Sequence, residues 1–307
     1  MPGAYAHIAI VNDAQKRVDS VRLQSQTALT LGRHLKYVEL GAVGPDYPYL
    51  AIRQATWADN MHYLNTATVL RSGVAEVRSL SAAERPRATA WLMGMAAHMT
   101  TDMTIHPVVE LKVGPYQGNQ GAHRQCEMHQ DAFIFPKIMD VGETGLSEHL
   151  STGIASCNAP DDAEQLHPTI KKVWCAMLSA AYPNDVAECA PDPSDWHRGF
   201  RRVLGTMAGA NRLFPFARHT AAGLNLAYPK TTEVDSTYIT NLATPEGKMD
   251  YTQLFERARS NVLTVWAGMD AALRDGNSDF LRGLEDWNLD TGRSLLNQQL
   301  VFWKVKK

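Results

Sequence analysis

The sequence predicts a mostly α-helical protein, and three observations carry that prediction. Apolar residues recur at helical spacing over long segments, alternating strand-like runs are few and short, and Gly or Pro stands where most of the segments should end. At 307 residues, with 45% hydrophobic and 20% charged side chains, the chain can bury a large core without covalent staples. We read it as one all-α domain, 1–307, with its chemistry in 1–150 and a helical remainder in 151–307.

Taken in order, residues 17–40 show a helix-compatible apolar spacing that Gly41 closes, and a second helix runs from Thr56 through Leu70 to Gly73. Ser81-Ala82-Ala83-Glu84 fits a capping box with Ser81 as N-cap, opening an apolar helix that reaches Ile105 before Pro107 stops it. Residues 122–135 form the next helix, ended by Pro136. Further helices are expected over 163–182, 194–208, 251–273 and 287–302. Only 229–246, rich in Thr, Ser and β-branched residues, reads as extended structure or a long loop.

Composition narrows the function classes. The 30 basic residues against 32 acidic ones leave a net charge of −2, which argues against electrostatic capture of nucleic acid. No apolar run approaches the ~20 residues of a transmembrane helix. The first residues carry no basic region and no signal-type apolar run, so the expected compartment is the cytoplasm. Cys126, Cys157, Cys175 and Cys189 lie far apart with no C-x-x-C pair, which reads as reduced, mostly buried thiols rather than a thiolate metal site or a disulfide framework.

Histidine is unevenly placed: His7, His34, His62, His98, His106, His123, His129 and His149, out of 11 in all, lie in the first half. His98, Asp102 and His106 stand at i, i+4 and i+8, which puts two imidazoles and a carboxylate on one helix face. His123 and Glu127 repeat the spacing, with Asp131 one turn further along. Two facing helices so equipped could hold a borderline cation such as zinc without any cysteine. A lone pair of this kind is more often a surface contact. The apolar setting of His98 among Trp91, Leu92, Met93, Met95, Ala96 and Ala97 shifts the balance, because titratable groups in such surroundings are costly unless paired or metal-bound.

Five motifs together resemble a known family. His7 within Ala6-His7-Ile8-Ala9-Ile10-Val11-Asn12, Asp46 within Gly44-Pro45-Asp46-Tyr47, His62, His98-x-x-x-Asp102 and His123-x-x-x-Glu127 are similar, in order and approximate spacing, to the zinc-dependent phospholipase C family, related to the P1/S1 nucleases. The resemblance covers about residues 1–150 and implies a multi-helix domain with a zinc cluster between helices that hydrolyses phosphate esters. It implies Asp46, His62, His98 and Asp102 as ligands of one zinc, His106, His123 and Glu127 as ligands of a second, and His7 with Asp102 at a third. It also implies Tyr47 as a substrate-pocket residue.

Under that reading two or three zinc ions leave the site net positive, which selects phosphate. Metal-bound water, its pKa lowered toward ~7, would supply hydroxide to attack phosphorus, with Asp46 as general base. Asp131, His129, His149 and Glu148 are candidates to orient the ligands. The expected substrate is a phosphate ester or phospholipid-like small molecule. The same donor set does not exclude iron and an oxygen-using enzyme, nor a closed metal site that only ties helices together.

Overall fold

The computed structural model describes residues 3–140, 145–206, 228–276 and 278–304. It is mostly helical. The first half contains α1 (Ala4–Gln15), α2 (Ser25–Arg33), α3 (Leu35–Ala42), α4 (Ala55–Tyr63), α5 (Thr66–Ser79), α6 (Arg85–Val113) and α7 (Gln120–Met139). After these come α8 (Gly145–Thr152), α9 (Pro168–Ala181), α10 (Pro183–Glu188), α11 (Pro193–Thr206) and the Tyr251–Arg274 helix. A short helix at Asp279–Gly283, several 3-10 turns and two short antiparallel ladders, β1 (Leu242–Thr244) with β2 (Gly247–Met249) and β3 (Trp287–Asn288) with β4 (Arg293–Ser294), are the other described elements.

The 29-residue α6 is the axis of the fold, buried continuously from Ala88 to Val109. A helix that is apolar on every side must be packed on every side, and α1, α3, α5, α7 and the Tyr251–Arg274 helix all lie against it. The crossing with α3 has no side chain between the backbones. A Cβ on Gly94 would sit 2.0 Å from the Val38 carbonyl oxygen, and one on Gly41 would sit 2.0 Å from the Trp91 carbonyl oxygen. That proximity brings the Ala42 carbonyl, among the last of α3 and without a partner inside its helix, to 2.7 Å from His98 Nδ1.

Several element boundaries differ from the sequence expectation for identifiable reasons. The 17–40 segment is a 3-10 turn at Val18–Ser20 followed by α2 and α3, which are separated at His34. The helix expected from Thr56 to Gly73 is split at Asn65, whose φ of 50° is the left-handed conformation that Asn tolerates best among non-glycine residues. The Tyr182 hydroxyl then serves the end of α4, lying 2.7 Å from the Leu64 carbonyl and 3.0 Å from that of Asn60. Ser81 and Glu84 do bond side chain to side chain, at 2.6 Å, but in a turn just before α6 begins at Arg85.

Pro107 and Pro136 lie inside α6 and α7 and do not end them. A proline in a helix costs about 3 kcal/mol, whereas burying each of Ile105, Val108 and Val109 contributes about 1.5–3 kcal/mol, so burial prevails. The Met103 carbonyl that Pro107 leaves unserved faces Gly292. A Cβ on Gly292, whose φ is +68°, would lie 2.4 Å from Pro107 Cγ and 2.7 Å from that oxygen.

The helix expected over 287–302 is a correction: the segment forms β3, a tight turn and β4. Asn288 Oδ1 accepts the Asp290 and Thr291 N–H groups at 3.1 and 3.0 Å, and Gly292 completes the reversal, so turn chemistry overrides the apolar periodicity. The 229–246 segment holds 3-10 turns at Thr231–Glu233 and Ser236–Tyr238 and then β1. Helix α11 is described to Thr206, and residues 207 and 208 lie outside the described residues. Cys126 and Cys157 are buried, Cys175 is half-buried and Cys189 is exposed; none is bonded to another. No helix among the described residues is long and apolar enough to cross a membrane.

The α3–α6 contact generates a test. Gly94→Ala places a methyl group into backbone, and overpacking of this kind costs about 1–3 kcal/mol. The urea midpoint of the variant should fall accordingly; an unchanged midpoint would contradict the close crossing.

Candidate metal centre

Four segments deliver side chains to one buried point. His7 comes from the middle of α1, Asp46 from the 3-10 turn Gly44–Leu50, His62 from the end of α4, and His98, Asp102 and His106 from successive turns of α6. The Leu289–Asp290 turn covers them. None of the six is more than 3% exposed.

Asp102 is the centre of the arrangement. Its Oδ1 lies 3.1 Å from His7 Nε2 and 3.9 Å from His106 Nε2, and its Oδ2 lies 3.2 Å from His98 Nε2 and 3.6 Å from His62 Nε2. Asp46 Oδ1 approaches His62 Nε2 at 3.6 Å. The His7 and His98 rings stack at 4.1 Å, and His62 meets His98 edge-on.

The other ring nitrogens settle what these atoms can do. His62 Nδ1 is 2.6 Å from the Ala58 carbonyl, His98 Nδ1 is 2.7 Å from that of Ala42, and His106 Nδ1 is 2.6 Å from that of Leu289. A carbonyl only accepts, so each Nδ1 carries a proton and each ring, in its neutral form, presents Nε2 as an acceptor. His62 and His98 therefore aim two acceptor nitrogens at each other across 3.5 Å, next to the acceptor oxygens of Asp102. Both Asp102 oxygens, both His7 ring nitrogens and His106 Nε2 are buried with no hydrogen-bond partner. Acceptors crowded together out of water repel unless a cation lies among them.

Dimensions agree with that cation being zinc. Zinc bonds of about 2.0–2.2 Å at tetrahedral angles hold ligand atoms roughly 3.3–3.6 Å apart, and the separations here run from 3.1 to 3.9 Å. Two triads, His7–His98–Asp102 and Asp46–His62–His98, each bring one donor atom per residue within 4.8 Å of the others.

The titration of these groups follows from burial and charge. Burial, aided by the His98 charge, lowers His7 to about 4. Burial likewise lowers His106 to about 4. Both are thus held in the neutral, ligating form at pH 7. Burial acts to lower His98 as well, but Asp102 beside it turns the net shift upward. The same ring of imidazoles, His98 and His106 foremost, overcomes the opposite pull of burial on Asp102 and holds its carboxyl well below the usual range.

Other predicted site residues fall in different places. On α7, His123 is turned the other way: its Nε2 donates to the Gly114 carbonyl at 2.7 Å, leaving Nδ1 as the acceptor, 3.8 Å from Glu127 Oε1. The Glu127 charge also acts on His106. Asp131 is fully buried; its Oδ1 accepts the Ala6 N–H at 2.8 Å and its Oδ2 accepts the Tyr228 hydroxyl at 2.9 Å, while burial pushes its carboxyl up to about 8. Tyr47 is buried against Trp174 and Phe200 with its hydroxyl 3.0 Å from His197 Nδ1. His129 accepts the Asp235 N–H and so pins the 229–241 loop. His149 pairs with Glu39 at 2.9 Å. The Glu148 side chain lies outside the described residues.

Sequence reasoning missed the contribution of the C-terminal segment. Leu289 accepts from His106 through its carbonyl and donates its N–H to the His62 carbonyl at 2.9 Å, joining two ligand-bearing helices. Asp290 Oδ1 stands 3.8 Å from His106 Nδ1 and its Oδ2 accepts the Tyr63 hydroxyl at 2.6 Å. Asn288-Leu289-Asp290-Thr291-Gly292 is a turn signature, and weighing it against helical periodicity would have found this element. A cleft of about 350 Å³, lined by Tyr63, Glu110, Tyr116, Asn288, Asp290 and Thr291, opens beside it. Its walls touch the centre, since Tyr63 packs on His62 and Tyr116 packs edge-on against His123 at 5.2 Å.

Acid should destabilise the metal-free protein. Burial lowers His7, His106, His167 and His197 from 6.5 to about 4. Between those values the unfolded chain binds protons that the folded chain refuses, so stability is complete above pH 6.5 and declines toward pH 4. Asp131, pushed up to about 8, and His98 and His149, both raised by neighbouring carboxylates, oppose this with fewer protons. The urea midpoint of chelator-treated protein should therefore be lower at pH 5 than at pH 7; the reverse order would contradict the burial of these imidazoles.

Comparison with known proteins adds an independent line. No curated protein and no solved structure matches the chain. A family model for zinc dependent phospholipase C matches residues 6–184, a span that takes in every predicted metal ligand and none of the C-terminal covering turn. With more than half of its length matched, the chain belongs to the zinc-dependent phospholipase C family.

Proposed function

We propose that the protein is a metal-dependent hydrolase of phosphate esters, a phospholipase C-like phosphodiesterase with a di- or trinuclear zinc centre. One observation carries this reading: a buried carboxylate, Asp102, faced by four imidazole nitrogens and lacking any hydrogen bond of its own. Family membership supports the hydrolase class.

In this reading Asp46, His62, His98 and Asp102 hold one zinc, His7 and Asp102 contribute to another, and His106, His123 and Glu127 hold the remaining one. Bound zinc supplies a Lewis acid and lowers the pKa of a coordinated water toward ~7. The chain's own groups do the rest. The carbonyls of Ala58, Ala42 and Leu289 keep the three Nδ1 protons in place, so the Nε2 atoms stay available and the rings do not rotate. Asp46, a ligand with little exposure, is the group assigned to take the proton of the attacking water. Water adds across the ester: a P–O bond forms, the P–O bond to the alcohol breaks, and the alcohol leaves with a proton. The cleft between Tyr63, Tyr116 and Asp290 is the route by which a phospholipid-like ester reaches the centre.

Purified protein should hydrolyse an activated phosphodiester and contain two or three zinc per chain, with chelator abolishing turnover. His98→Ala should lower kcat/KM by more than about 100-fold, since even outer partners of a metal ligand cost 10–100-fold. Metal-free protein, iron in place of zinc, or chelator-insensitive turnover would overturn the reading.

A further inference from the structure

Among the buried imidazoles His7 is the exception. His62, His98 and His106 are each aimed by an Nδ1–H bond to a carbonyl, whereas neither ring nitrogen of His7 has a hydrogen-bond partner. Its ring is fixed by stacking on His98 and by where α1 begins. The start of α1 has no cap of its own, because Gly3 occupies the N-cap position without a side chain. The first-turn N–H groups of a helix need an acceptor, and water cannot supply one where Ala4 to Ala14 are all buried.

Asp131, from α7, supplies it. Its Oδ1 accepts the N–H of Ala6, the residue immediately before His7, at 2.8 Å, across 125 positions of sequence, sharing that N–H with the Gly3 carbonyl at 3.0 Å. Tyr228 braces the other oxygen at 2.9 Å. The fit leaves no slack: a Cβ on Gly3 would lie 1.7 Å from Asp131 Oδ2. Asp131 also follows Glu127 by one turn on α7, so the same helix that carries Glu127 fixes the entry of α1.

We propose that Asp131 is the positioning residue of His7, capping α1 from a neighbouring helix and thereby placing the one imidazole of the centre whose Nδ1 no carbonyl holds. The role is distinct from orienting Glu127, and its metal arm alone rests on the zinc reading above.

Two readouts test it. In zinc-free protein, proton NMR reads the His7 ring signals displaced by stacking on His98. Asp131→Ala should return them toward ordinary values, and Asp131→Asn, which keeps an oxygen for the Ala6 N–H, should leave them in place. Gly3→Ala, which crowds Asp131 Oδ2, should act like Asp131→Ala and stands in for it should that variant fail to fold. In the zinc arm, competition with a chromophoric chelator should show Asp131→Ala weakening zinc by about 10–100-fold, and this loss should vanish in the His7→Ala background. Wild-type His7 signals and zinc affinity in folded Asp131→Ala, or an undiminished loss in the His7→Ala background, would overturn the inference. A wild-type chain that takes up no zinc would sink the zinc reading, and the NMR arm would still decide this one.

Discussion

The structure depends on one unmet charge. Asp102 is an ionised carboxylate in the middle of a long buried helix, and it is faced by the Nε2 atoms of His62, His98 and His106, which their Nδ1–H bonds make acceptors in the neutral form, and by His7. Burying such a set without compensation costs several kcal/mol per group. The arrangement is a sound one only for a chain that acquires positive charge there, and the remaining architecture can be understood as what it takes to hold acceptors together in that configuration.

Each constraint is met by backbone. Gly41 and Gly94 let α3 and α6 touch so that a helix-end carbonyl reaches His98. Gly292 lets the C-terminal turn lie on the flank of α6 at Pro107, where Leu289 ties His106 to His62. Main-chain carbonyls are well suited to this work because they cannot donate, so they fix a tautomer as well as a direction. The proline that would end an isolated helix here sits inside one, at the place where the covering turn needs to approach.

Much of this was legible from residue order. The His98–Asp102–His106 stripe and the mostly helical class follow from spacing and composition, whereas the isolated His7, Asp46 and His62 stand out only through the family resemblance. The Asp102-centred convergence of segments far apart in the chain was not, because sequence spacing reports a helix face and not which faces meet. The 287–302 turn was misread because Trp287, Leu289, Leu295 and Leu296 imitate a helical stripe, while the Asn288 and Gly292 chemistry that bends the chain occupies only two positions. Asp131 was noticed for its nearness to Glu127, yet its partner is Ala6, a pairing that no local pattern encodes.

The central claim is that cations belong beside Asp102. Diffraction from zinc-loaded crystals at wavelengths on either side of the zinc absorption edge tests it most directly. The account requires an anomalous difference peak within bonding distance of Asp102, shared with Nε2 of His98 and with His7, His62 or Asp46. Peaks confined to surface carboxylates, with the Asp102 pocket empty, would contradict it.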